Sequence, residues 1–155
     1  MDFNVPSDWI LINNDEIENL GNINNDNINC ISAYAINRNG YLSIVCFFDY
    51  SEYSNEYLSD FDNSLSKSND TENEGIYTLK NIFHGFLKDY NKIVYVNIYK
   101  ISIQENENVY TVQIFVEQNN GLICIQYTLN ILDEANPLKS ALNLDFVKEG
   151  INLVL

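Results

Sequence analysis

His84 is the only histidine in the chain, so any imidazole-based acid–base scheme must rest on it. It sits beside Phe83 and Phe86 on a segment with helical periodicity, and in that setting it reads as a structural histidine. Nucleophilic serine chemistry has no G-x-S-x-G turn to work from. Cysteine–histidine chemistry would need the fold to bring Cys30, Cys46 or Cys124 beside His84, which the sequence leaves open. Structural zinc needs four Cys or His ligands at short paired spacings, and three scattered cysteines with one histidine do not supply them. Cys46 falls on an expected core face, where a thiol behaves as a small apolar group. Cys124 falls on the opposite, more polar face and is the more reactive candidate. Asp70-x-Glu72-x-Glu74-Gly75 resembles the start of a calcium loop. The twelfth position of that loop would be Asn81, which cannot act as the bidentate ligand. Asp15, Glu16 and Glu18 could in principle pair as glycosidase carboxylates, but they lie in a polar stretch that reads as solvated charge. There is no P-loop and no G-x-G-x-x-G. We therefore expect no enzyme activity, no metal and no cofactor.

Charge narrows the partners further. The chain carries 22 acidic and 8 basic side chains, a formal net charge of −14. Nucleic-acid binding works by laying Lys and Arg along phosphates, and too few are present to form such a stripe. An anionic membrane is disfavoured for the same reason. A basic protein partner fits the sign of the field, which would speed its association. Simple solubility is the competing explanation. The acidity concentrates in Glu52, Glu56, Asp60, Asp62, Asp70, Glu72 and Glu74, against a lone Lys67. Residues 51–75 are expected to form a long acidic loop, with a short helix around Tyr57, Leu58, Phe61 and Leu65. This loop is the first candidate partner-binding surface.

The elements follow from periodicity. Phe3 to Ile12 reads as an extended segment at a sheet edge, because Pro6 has no backbone N–H to donate. Residues 13–29 read as a polar loop, with a turn of helix near Ile17 and Leu20. Ile28–Asn37 and Tyr41–Tyr50 form a hairpin around Arg38-Asn39-Gly40, since Asn-Gly supplies positive φ angles. In its second strand Leu42, Ile44, Cys46, Phe48 and Tyr50 share one face, taken as core, and Tyr41, Ser43, Val45, Phe47 and Asp49 the other. Leu79, Ile82, Phe83, Phe86, Leu87 and Tyr90 follow helical spacing, with Thr78 as cap. A three-strand meander follows at Ile93–Gln104, Val109–Gln118 and Leu122–Ile131. Asn136-Pro137 then starts a terminal helix containing Leu138, Ala141 and Leu142, ending near Gly150. The economical assembly is one α+β domain over residues 1–155, an antiparallel sheet of about six strands packed against helices. If helices cover only one side, Tyr41, Val45, Phe47 and Phe115 form a second candidate partner surface. Otherwise another helix or a homodimer partner covers them.

The opening Phe3-x-Val5-Pro6-x-x-Trp9 and this order of elements resemble the PsbP-like superfamily, which includes DcrB-type bacterial proteins and a Ran-binding nuclear-transport factor. The resemblance implies an α/β/α sandwich used as a binding module, in settings that include chaperoning of secreted effectors. It transfers no catalytic residues; Pro6 and Trp9 are structural. The long acidic loop and the C-terminal sequence depart from the family pattern.

Three widely spaced cysteines, an N-terminus without a basic–apolar leader or lipidation motif, and no run of 18 apolar residues point to a reduced, cytoplasmic protein. The expectation is a non-enzymatic protein-binding module, such as a toxin-immunity protein or an adaptor for a secreted effector. The alternative is a small-molecule or lipid-binding domain with a pocket between sheet and helices.

Overall fold

The computed structural model describes residues 3–13, 15, 28–67, 72–73, 77–104 and 107–155. The expected helical turn near Ile17 and Leu20 lies outside them. In chain order the elements are β1 (Trp9–Leu11), β2 (Asn29–Arg38), β3 (Tyr41–Tyr50), α1 (Asn55–Lys67), β4 (Glu72–Asn73) and β5 (Thr78–Leu87). They continue with β6 (Val94–Gln104), β7 (Glu107–Gln118), β8 (Gly121–Leu129), α2 (Pro137–Leu142) and α3 (Asp145–Val154). The strands form one antiparallel sheet in the order β1-β2-β3-β8-β7-β6-β5-β4. Seven strands make up its body, and the two-residue β4 extends the far edge. The mixed α+β expectation holds, with one strand more than the six expected.

The additional strand is β5. Residues 78–87 form a strand paired with β6 from Thr78–Ser102 to Leu87–Val94, where helical spacing predicts a helix. A bulge between Asn81 and Phe83 explains the misleading pattern. One extra residue reverses which face each side chain takes. Phe83 and Leu87 then pack on one core, while Phe86 meets Tyr95 on the other side, with ring centroids 4.9 Å apart. A strand buried in part on both faces, with a phase slip, imitates a period of 3.6. Gly85 carries no helix penalty, because it lies in this strand opposite Val96.

The helices lie on opposite faces. Val45, Phe47, Val96, Ile114, Ile125 and Tyr127 pack with Val147, Ile151 and Val154 of α3 and Ala141 of α2. On the other face Cys46, Phe48, Tyr50, Tyr95, Phe115 and Cys124 pack with Leu58 of α1. Alternation along each strand sends neighbouring residues to opposite faces, so the central strands are apolar on both. The terminal helical region is two helices broken at Asn143–Leu144, and it runs on past Gly150 to Val154. Pro137 opens α2 as expected, although the Asn136 side chain makes no capping hydrogen bond. Tyr127 Oη donates to the buried carbonyl of Ala141 at 2.9 Å, fixing α2 to the sheet. Trp9 is buried against this layer, with Nε1 3.2 Å from Glu149 of α3.

Two turns need unusual backbone. Asn39 and Gly40 both have positive φ, at 56° and 79°, as the two-residue β2–β3 hairpin requires. Gly121 has φ 129°, and a Cβ there would come within 2.3 Å of the Ser51 carbonyl oxygen. Gly121 thus lets β8 begin directly against the turn that ends β3. Gly40 has open space around its missing Cβ. Gly121→Ala should cost at least about 2 kcal/mol, and Gly40→Ala about 1 kcal/mol. Urea denaturation of the two variants checks the ranking; equal losses would contradict the close approach.

Candidate functional site

The short helix expected within the acidic segment is present and longer than expected, and residues 68–71 and 74–76 of that segment lie outside the described residues. Residues 55–67 form the 13-residue helix α1. Its apolar stripe, Tyr57, Leu58, Phe61 and Leu65, follows helical spacing. Leu58 is fully buried, and Phe61 lies 6.0 Å from the Tyr95 ring and 6.4 Å from that of Phe115. Glu52, Glu56 and Asp60 are exposed to solvent. Asp62 turns inward: its Oδ1 accepts a hydrogen bond from Tyr95 Oη at 3.0 Å and lies 2.6 Å from His84 Nδ1. Glu72 falls in β4, and Asp70 and Glu74 lie outside the described residues. The seven candidate acids therefore do not form one solvated surface.

His84 lies on β5 rather than on a helix, and Asp62 is its partner across the α1–sheet interface. Beside it runs a row of side-chain amides. Asn81 Nδ2 donates to Asn97 Oδ1 at 2.6 Å, Asn97 to Gln113 at 3.1 Å, and Gln113 to Gln126 at 3.1 Å. Asn97 is completely buried, so this network satisfies amides that would otherwise be costly to bury. Burial, reinforced by Asp62, pushes the Tyr95 hydroxyl well above the ordinary phenol range. The sheet register places Cys46 four strands from His84, roughly 19 Å at about 4.8 Å per strand. Cys124 is three strands away, roughly 14 Å. No described cysteine can share a proton with His84. Cys124 is also fully buried rather than on a polar face, and burial drives its thiol strongly upward. All three cysteines are free, and no group of three or more His, Cys, Asp or Glu among the described residues could hold a metal.

The second candidate face fares differently from expectation. Helices cover both sides of the sheet, and Val45, Phe47 and Phe115 are buried, with Phe115 on the opposite face from the other two. Tyr41 alone stays exposed, at 76%. It belongs instead to a feature that sequence patterning does not disclose. Pairing between β3 and β8 stops at Val45–Tyr127. Beyond that point Tyr41 and Leu42 still pair with β2, and Thr128 and Leu129 still pair with β7. The two central strands therefore splay apart.

An open cleft of about 390 Å³ occupies the gap, lined by Tyr41, Leu42, Ser43, Thr128, Leu129, Ile131 and the start of α3. Consecutive residues of one strand point to opposite faces, yet 41–43 and 128–131 all line this one cavity. The cleft thus opens at the unpaired ends of β3 and β8 and extends to the start of α3. Among its lining residues Tyr41, Leu42 (68%) and Ile131 (84%) are exposed. Among the lining residues the cation Arg38 is held by Asp8 at 2.6 Å and by Glu149 at 2.9 Å, while Asp145 is exposed. The charged lining residues, Arg38 and Asp145, balance; Asp8 and Glu149, held on Arg38 beside the lining, bring this group to net −2.

The N-terminal end of α1 is tied by Glu117, which accepts from Asn55 Nδ2 and the Ile93 amide, each at 3.1 Å. These bonds, the Ile93 amide first, hold the Glu117 carboxyl below its ordinary range. A depressed folded-state pKa gives stability that is complete above the unfolded value, about 4.3, and fades as pH falls through the folded one. The stability gap between wild type and Glu117→Gln should accordingly shrink between about pH 6 and pH 3. Chemical denaturation across that range measures it, and a pH-independent gap would contradict the assignment.

The chain matches no protein-family model and no curated protein sequence.

Proposed function

We propose that this chain is a non-enzymatic protein-binding module that docks its partner at the cleft between β3 and β8. The observation carrying this reading is the gathering of three exposed large apolar side chains, Tyr41, Leu42 and Ile131, at one cleft. Contiguous exposed apolar surface of this kind marks interaction sites on monomeric domains. The net charge of −14 favours a basic partner. The PsbP-like resemblance of Phe3-x-Val5-Pro6-x-x-Trp9 supports the same reading, because that superfamily supplies binding modules. A toxin-immunity protein or an adaptor for a secreted effector is the role that joins these features. Three free cysteines suit a reducing, cytoplasmic compartment. No helix among the described residues is long and apolar enough to cross a membrane.

A second reading, a small apolar ligand in the same cleft, is favoured by volume. About 390 Å³ lies within the usual range of ligand pockets, about 300–1,000 Å³. Native mass spectrometry of the protein equilibrated with a lipid extract tests it: a bound mass displaced by Leu129→Trp supports that reading.

For the protein-binding module, a photo-crosslinking residue placed at Leu42, at Glu56 or at Lys88 in cells of the native host gives the decisive comparison. A discrete protein adduct is expected from position 42, reduced at least about fivefold by Tyr41→Ser with Ile131→Ser. An adduct from position 56 alone would transfer the site to α1, and no adduct from any position would overturn the reading.

A further inference from the structure

We infer that the cleft takes its partner as an extended strand, inserted between β3 and β8 and flanked by cationic side chains. This deepens the docking reading above and rests on it. The pairing pattern carries the inference. Residues 41–44 of β3 have β2 on one side and no strand on the other, and residues 128–129 of β8 have β7 on one side and no strand on the other. The walls of the slot are therefore two strand edges on which alternate residues turn their N–H and C=O groups outward, free of sheet pairing. Such edges are templates for another strand, because each N–H and C=O seeks a partner. Four residues of β3 give a wall roughly 14 Å long and two of β8 one roughly 7 Å long, so a guest of about four residues meets both walls over half its length.

Two further features define the guest. Its side chains would alternate between the two faces of the sheet. On one face they meet Ile36, Leu144 and Phe146, and on the other Leu42 and Thr128, so apolar β-branched residues suit both. A strand between antiparallel neighbours lies antiparallel to one and parallel to the other, so its direction is set by the better-paired wall. Beside the cleft Arg38 is already engaged by Asp8 and Glu149, and with Asp145 this group is net −2. Lys or Arg flanking the apolar stretch would meet Asp145 and this network. Proteins that bind by strand addition obtain affinity from main-chain hydrogen bonds and selectivity from alternate side chains.

Three synthetic peptides test the inference on the intact chain. The first is KKVTVTVKK, capped at both ends. The second, KKVPVPVKK, keeps the charge but lacks two of the N–H donors. The third is a helix-forming peptide of leucine, alanine and lysine with equal charge. The first should bind, slow hydrogen exchange at the amides of 41–44 and 128–131, and weaken as salt rises from about 0.05 to 0.5 M. The proline peptide should bind at least about tenfold more weakly, the loss of two main-chain hydrogen bonds.

Equal binding of the first two peptides, preference for the helical one, or protection elsewhere on the chain would overturn strand insertion. So would failure of all three to bind, or protection of the same amides by self-association of the chain without peptide. Crosslinks from Leu42 in cells combined with any of these outcomes would discard the strand and leave the docking surface standing. Absence of both would remove the two together.

Discussion

The structure depends on one seam: the six antiparallel residue pairs from Val45–Tyr127 to Tyr50–Leu122 that join β3 to β8. On one side of it lie β1 and β2, and on the other β7, β6, β5 and β4. The strands it joins are far apart in the chain, so closing it costs loop entropy that local hairpins do not incur. Burial on both faces offsets that cost. Val45 and Phe47 meet Ile123, Ile125 and Tyr127 beneath α2 and α3, while Cys46, Phe48 and Tyr50 meet Leu122 and Cys124 beneath α1. Gly121 fixes one end of the seam, since any larger residue would collide with Ser51.

The other end stops where the cover stops. The row running His84, Asn97, Gln113, Gln126 and Cys46 crosses five strands in register. Its amides mark the border of the apolar core under α1, beyond which Ile44 and Leu42 are exposed. Past that row a β3–β8 pair would gain hydrogen bonds but little apolar burial. Net backbone hydrogen bonds are worth only about 1 kcal/mol each, because water competes for the same groups. The strands separate one pair later, at Val45–Tyr127. The cleft thus lies where the apolar cover beneath α1 ends, beside the start of α3 on the other face.

The local chemistry of this fold was legible where it is set by a few adjacent residues. Asn39-Gly40 announces its hairpin, Pro137 its helix, and the alternation in Tyr110, Val112, Ile114 and Val116 its strand. What was hidden is long-range. The bulge at β5 shifts the alternation by one residue, and no feature of the sequence marks a bulge apart from its effect on pairing. Asp62 is one acid among several in a polar stretch, and only the docking of α1 turns it toward His84 and Tyr95. Gln113 and Gln126 look like the solvated side of alternating strands, whereas they form an ordered chain of amides. The splay at Val45–Tyr127 has no local signal at all, because residues on either side of it are ordinary strand formers.

Acidity and the apolar cleft contribute to proposed docking over different distances. Glu52, Glu56 and Asp60 project from α1 and its approach, away from the cleft lining, and none of them touches that lining. Their field reaches about 8 Å at physiological salt, which makes it a matter of encounter rate rather than of fit. Fit is decided within the slot. There Arg38, neutralised by Asp8 and Glu149, cannot attract an acidic partner, and the apolar walls discriminate by shape and by backbone pairing. The charge held by Arg38 also joins β2 to α3, so the same ion pairs that set the sign of the rim hold one wall of the cleft against the helix beside it. Rim charge and wall position are therefore coupled through one side chain, and a change at Arg38 would alter both at once.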